Sequence, residues 1–446
     1  MSIKQEFSGR LFSGHMLQAM RRLPQALALA LGVSGSAVAW AAPQEVQVWH
    51  TLTGRNQAEF DKLAADYNKS QANVRVVLRG FNGEDELARE TAMAIAGKYA
   101  PQLVQISDQH SPEVIAEHAA ILPMHQLLAT HPIRDQAWFL PQASSFVRDG
   151  RGRLLAFPWM AEVPVMFYNI DAYRKAGLNP AQPARTWNDL QNELAQLYER
   201  TDLQCAYATG DPLTVHLENL APVNGKLYAT ADNGLGRGKP SLNFDVLYMR
   251  HISLMASWKR GHLMTEFPND NEANLAFARG RCGVLTTGSG ALGELMASNT
   301  LSFGVAPLPY YSQVTSQPGK PFISGSALWA LKGHDRGSDA ATASFLAYLA
   351  TPVVAAEWHQ KTGYLPLTQA AFLAADVSFY DRIPGTQKLI ASLESAPTVA
   401  SRGFRLPNYP QVAVVLNDAL AAALSGQRPA MEALQSAVRQ GNALMK

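Results

Sequence analysis

Cysteine is scarce here: the 446 residues carry two, Cys205 and Cys282, so at most one internal bridge can form. Charge is sparse too, at 17% of residues, against 47% apolar; this ordinary globular mixture excludes a globally disordered chain. Beyond residue 41 no apolar run approaches the roughly 18–20 residues a membrane helix needs. No cysteine stands directly after the apolar N-terminal run, so no lipoprotein anchor is expected. Catalytic signatures are missing as well. Gly288-Ser289-Gly290 is too short for a G-x-S-x-G nucleophile elbow, and Gly238-Lys239 lacks the flanking residues of a phosphate-binding loop. No H-E-x-x-H occurs. His110, Glu113, Glu117 and His118 read as a solvated helix face rather than as metal ligands. No metal and no cofactor is expected, and the chain does not read as an enzyme.

What is present begins with an export signal. Arg21 and Arg22 precede the apolar stretch from Leu23 to Val38, and Ala39-Trp40-Ala41 supplies the small residues of a cleavage site. Residues 1–41 are therefore read as a signal peptide, removed on the way to the periplasm. They contain four basic residues (Lys4, Arg10, Arg21, Arg22) and one acid (Glu6), so their loss lowers the formal charge of +2 by three, to −1. A nearly neutral mature chain gives no reason to expect nucleic acid as a partner. In an oxidising compartment Cys205 and Cys282 form either a bridge or two buried thiols.

The remaining length suffices for two domains. Strand-like Glu45–Val48, Val74–Leu78 and Leu103–Ile106 alternate with helical patterns, and Phe60, Leu63, Ala64 and Tyr67 mark one helix face. A similar grammar restarts near Phe157. Val165–Tyr168 is strand-like, Thr186 caps a helix with a Trp187, Leu190, Leu194, Leu197 stripe, and Gly283–Thr286, Phe303–Ala306 and Ala327–Leu331 read as strands. From Asp339 onward the pattern is helical, and Asn233–Lys239 reads as a Gly-rich loop. Alternation of this kind predicts an α/β fold with parallel sheet. Open α/β sheets bind ligands beyond the carboxyl ends of their strands, which marks Trp49, His50 and Thr51, then Gly80, Phe81 and Asn82, then Ser107 and Asp108.

Specific strings carry a resemblance. Tyr168-Asn169-Ile170-Asp171 with Ala176-Gly177-Leu178, Thr186-Trp187-Asn188-Asp189-Leu190 and Phe277–Cys282 are similar to family 1 extracellular solute-binding proteins. Glu357–Pro366 and Arg405-Leu406 before Pro410-Gln411 resemble the glycerol-3-phosphate-binding branch of that family. The resemblance implies a type II periplasmic-binding fold: two lobes, with a ligand cleft at the hinge between them. It places residues 42–157 plus about 303–360 in an N-terminal lobe, and 158–302 plus about 361–446 in a C-terminal lobe. It implies a monomer that captures a small polar ligand, sn-glycerol 3-phosphate or a glycerophosphodiester, and hands it to the membrane permease of an ABC importer.

At the site the resemblance assigns ligand contacts to Tyr364 and to Gly325, and puts Asp108 where the family has a glutamate. Several positions depart. Glu162 stands in place of a serine, Asp211 and Thr214 replace two tryptophans, Ala413 replaces an arginine, Phe81 and Asn82 lie nearest an absent tyrosine, and Gly288 replaces a serine beside Ser289. The Gly288–Gly290 amides and Arg405 or Arg402 are then the expected anion donors. Asp108, Glu162 and Asp211 would equally suit a sugar, a polyol or a cationic head group. A periplasmic hydrolase of such esters is the alternative of a different class.

Overall fold

A computed structural model describes residues 42–107, 112–133, 137–139, 146–298 and 301–446; the expected signal peptide and Asp108 lie outside them. Among the described residues, ten strands form two sheets. The first contains β1 (Gln44–His50), β2 (Val74–Gly80), β3 (Leu103–Ser107), β4 (Ile121–Leu122), β5 (Phe157–Glu162) and β10 (Ser324–Leu331). Its order is β2-β1-β3-β10-β4, with β5 also paired to β10. The second, ordered β7-β8-β6-β9, contains β6 (Pro164–Asn169), β7 (Cys205–Thr209), β8 (Cys282–Gly288) and β9 (Phe303–Pro307).

The expected parallel sheet is only part of the result. β1 runs parallel to β2 and β3, and β7 parallel to β8. β10 enters the first sheet antiparallel, and β6 is antiparallel to both its neighbours. The chain passes between the sheets twice, once by direct strand extension and once through the connection 308–323, and a strand that arrives from the other sheet runs against those that began at home. The first crossing is β5 to β6, through Val163; the second leads from β9 to β10. The lobe division expected from sequence shifts accordingly. Pro158–Glu162 belongs to β5, which pairs with β10 in the first sheet, and Phe303–Pro307 pairs with β6 in the second, each opposite to the expected assignment.

Local chemistry explains the helices. The predicted Phe60, Leu63, Ala64, Tyr67 stripe is the buried face of helix Gly54–Ser70. Trp187, Leu190, Leu194 and Leu197 are likewise the buried face of helix Trp187–Arg200, whose first turn is capped by Thr186 Oγ1 accepting from the Asp189 amide at 3.1 Å. Helix Arg336–Leu349 starts three residues earlier than expected, because Asp335 caps it through the Ser338 amide. The first core is organised around aromatic rings: Trp159 stacks on Trp358 at 4.7 Å, and Trp358 on Tyr364 at 5.7 Å. Tyr364 thereby sits at the end of a rigid aromatic column. The second core holds a buried polar chain. Tyr207 Oη contacts His216 Nε2 at 3.1 Å, His216 Nδ1 contacts His251 Nε2 at 3.0 Å, and His251 Nδ1 contacts Tyr311 Oη at 2.9 Å. Burial pulls His216 down to about 3, so the chain is neutral and satisfied by tautomeric pairing.

Cys205 and Cys282 are disulfide-bonded, with Cα atoms 4.7 Å apart. They are direct partners in the parallel β7–β8 register, which brings two residues 77 apart in sequence side by side.

Candidate functional site

The two sheets meet at the Glu162-Val163-Pro164 crossing, and most of the expected site residues converge there. Glu162 ends β5, and its carboxylate Oε2 accepts from the Gly290 amide at 3.0 Å while lying against Gly288. The Ser289 amide donates to Val163 O at 2.8 Å, and the Ser289 hydroxyl is within 3.4 Å of the Val163 amide. The expectation that the Gly288–Gly290 amides receive a ligand anion is corrected for two of them, since Ser289 and Gly290 bond to the protein's own oxygens. Glu162 supplies the negative charge at this turn.

Two other backbone features fix the neighbours. Gly325, opposite Ala161 in the β5–β10 ladder, has φ +113°, and a Cβ there would fall on the Met160 carbonyl oxygen. Only glycine fits, because the strand must press against β5 where the chain crosses. Gly325→Ala is expected to destabilise the protein on the order of 2–3 kcal/mol, read from urea or thermal unfolding; an unchanged midpoint would show that the backbone relaxes freely. Gly363, at φ +84°, closes helix Pro352–Thr362 in the left-handed conformation, packing on Ser289 O and Leu292. That turn delivers Tyr364 to the cluster, where its ring lies beside Gly290 and its hydroxyl lies near the Asn56 side chain. Asn56 Nδ2 also donates to Gly290 O at 3.2 Å. Nothing in the sequence marked Asn56, an ordinary residue in the third position of a helix.

Asp211 joins from the second sheet. The Gly210 amide donates to Thr286 O at 2.9 Å, and Gly210 packs on Thr287, so Asp211 follows β7 beside the end of β8 that carries Gly288. Its backbone is left-handed, at φ +57°, and Oδ1 accepts from the Thr214 amide at 3.2 Å. Burial, and then the nearby Glu218 and Asp270 charges, push the Asp211 carboxyl up to about 7. Burial also raises Glu162, opposed by the Gly290 amide and reinforced by Asp270. Asp270 begins helix Asp270–Ala278 and was not anticipated from sequence. The site is thus acidic, and burial disfavours the ionised forms of Glu162 and Asp211.

The first-sheet candidates divide. Trp49 is buried on Phe81 at 5.2 Å, with the Arg79 guanidinium over both rings. His50 is buried too; its Nδ1 accepts from the Leu52 amide at 3.2 Å, and burial pulls it down to about 4. The Thr51 amide donates to Gln105 Oε1 at 3.0 Å, and the Asn82 amide to Glu86 at 2.8 Å. Trp49, His50 and Phe81 are thus committed to packing, whereas Gly80 and Asn82 stay exposed. Ser107, in contrast, faces Ser326 across the ladder with hydroxyls 3.2 Å apart, one residue from Gly325. Arg405 does not join the Glu162 cluster as an expected anion donor: its guanidinium binds the Glu113 carboxylate and Arg148 O. Arg402 stands 3.9 Å from Asp232.

Two lobes meeting at strand crossings, with polar groups gathered at the crossing, define a binding-protein architecture. A family model described as bacterial extracellular solute-binding protein matches residues 62–384. The chain belongs to this family. It is 32% identical over 433 residues to the sn-glycerol-3-phosphate-binding periplasmic protein UgpB of Yersinia enterocolitica, covering 96% of this chain and 97% of that protein. It is also 32% identical to the Escherichia coli K12 protein of the same name, covering 94% and 96%. Among solved structures, UgpB from Mycobacterium tuberculosis in complex with glycerophosphocholine superposes with a TM-score of 0.70 at 17% identity, covering 91% of this chain and 98% of that one. Maltose-bound MalE3 of T. maritima gives 0.72 at 16% identity, covering 90% and 99%. The fold is therefore the two-lobe fold of these solute-binding proteins.

Proposed function

We propose that this protein is the periplasmic substrate-binding component of an ABC importer, and that it captures a glycerol phosphate, sn-glycerol 3-phosphate or a glycerophosphodiester, for delivery to a membrane permease. One observation carries the choice within that class. Glu162 lies against Gly288 at the lobe crossing, and Asp211 follows Gly210, which packs on Thr287 of the same strand; burial holds both carboxyls above their ordinary range, and both sense the Asp270 charge. A bare phosphate placed there would meet negative charge. A diester with a cationic end, of the glycerophosphocholine type, would relieve it. The names of the relatives support the glycerol phosphate part of the reading, and the structural neighbour holding glycerophosphocholine supports the diester part. Its role is binding rather than turnover, with export through the N-terminal signal.

The same carboxylates favour a second reading, a sugar or polyol whose hydroxyls they accept, in keeping with the maltose-bound neighbour. Calorimetric titration of the mature protein with glycerol 3-phosphate, glycerophosphocholine and maltose decides. Micromolar binding of glycerophosphocholine, about −8 kcal/mol, is the expected result. Binding of maltose alone would replace the first reading with the second, and hydrolysis of the diester during titration would replace binding by catalysis.

A further inference from the structure

Arg405 links the two lobes. Its backbone is part of the second: its amide donates to Asn233 O at 2.8 Å, and the preceding Phe404 packs on Tyr228, Phe322 and Tyr409. Its guanidinium reaches the first: Nε donates to the Glu113 carboxylate and Nη2 to Arg148 O at 2.8 Å. Glu113 stands in the first turn of helix Pro112–Glu117, which follows the carboxyl end of β3, the edge where Ser107 faces Ser326. Arg148 is anchored in the same lobe. Its guanidinium donates to Gly152 O at 2.9 Å, and the strand opposite it, through Leu154 and Leu155, accepts from the His125 and Met124 amides. These contacts are remote in sequence from the strand crossing at Glu162–Pro164.

We propose that Arg405, Glu113 and the Arg148 carbonyl form a clasp between the lobes that sets the balance of open and closed forms before any ligand binds. The proposal requires only that the lobes open, and is independent of which solute they take. The hinge tethers the lobes on one side. Charge-assisted hydrogen bonds that run from one lobe to the other are lost when the lobes separate, so they oppose opening. Arg405 is 16% exposed and Glu113 34%, so the pair is shielded enough to matter and wet enough to break. Because the clasp stabilises the closed form whether or not the cleft is filled, it biases the free protein toward closure and slows escape of bound solute.

The test uses the full mature protein without ligand. Lys69→Cys and Met431→Cys place spin labels on exposed positions of the two lobes, the native cysteines being bridged. Pulsed electron-resonance distances are then compared for the wild-type background, Arg405→Ala, Glu113→Gln and the charge swap Arg405→Glu with Glu113→Arg. The single variants are expected to raise the open-to-closed ratio about tenfold, and the swap to restore part of it. Distance distributions unchanged in both single variants would overturn the clasp, as would a wild-type protein already fully open. Should Arg405→Ala fail to fold, Glu113→Gln, a change on a half-exposed carboxylate, decides alone.

Discussion

Replacing both Cys205 and Cys282 by alanine is expected to cost about 4 kcal/mol of stability, the largest effect of any change outside the cleft. The bridge joins residues 77 apart in sequence, and the loop it closes in the unfolded chain is correspondingly long. It also ties β7 to β8, its only strand partner in the sheet order. Both cysteines are buried, so alanine leaves little space and buries no polar atom, and the measured loss reports the cross-link rather than a packing defect. Asp211 lies two residues beyond the end of β7, so loosening β7 is expected to weaken ligand binding as well. Urea unfolding of the double variant, beside wild type with and without reductant, checks the prediction. Equal midpoints for oxidised and reduced wild type would show that the bridge contributes nothing to equilibrium stability.

The second large effect concerns the two carboxyls at the lobe crossing. Glu162→Gln and Asp211→Asn are each expected to weaken binding of glycerophosphocholine by about 10–100-fold, the range for losing one charged partner, while strengthening binding of glycerol 3-phosphate. Opposite movement is the signature, because neutralisation helps an anion and harms a cation. Proton exchange gives an independent reading. With its carboxyl near 7, Asp211 is about half protonated in the free protein at neutral pH. A cationic group beside it favours the ionised form, so binding should release protons; a phosphate beside it should take them up. Titration at pH 7 in buffers of different ionisation enthalpy measures the sign, and Asp211→Asn should abolish most of it. The same residue predicts a stability effect. Its folded pKa exceeds the unfolded value, so the ionised form is penalised in the fold. Asp211→Asn should therefore stabilise the free protein at pH 8 and do little below about pH 4, where the carboxyl is protonated in both states. Parallel loss of affinity for both phosphates in both variants would remove the carboxyls from any role in choosing the ligand.

Much of this was legible in the sequence wherever the interaction was local. The Phe60 to Tyr67 and Trp187 to Leu197 stripes, the Thr186 cap and seven strands follow from periodicity and from side chains that bond to neighbouring backbone. β4, β5 and β7 were not anticipated, β4 because two residues are too few to show a period. Phe157–Glu162 carries a proline at its second position, which the sheet tolerates because β5 pairs with β10 alone, and Cys205–Thr209 is a short, continuously buried run without alternation. The family strings marked Glu162, Gly325 and Tyr364, and the structure gathers them around Gly288–Gly290. Asn56 and Asp270 carried no signal, since each is an unremarkable polar residue near the start of a helix.

The sequence by itself determined the family and the α/β alternation, because each of these is written in residue type and short-range spacing. The tertiary structure alone decided three things. The lobes exchange β5 and β9 relative to the expected boundary, since hydrogen-bond pairing, not sequence order, assigns a strand to its sheet. The Gly290 amide answers Glu162 instead of a ligand anion, because the crossing strand delivers that carboxylate to the turn. Arg405 reaches across to Glu113 and Arg148, because a side chain takes whatever partner the packing of distant elements brings within its reach.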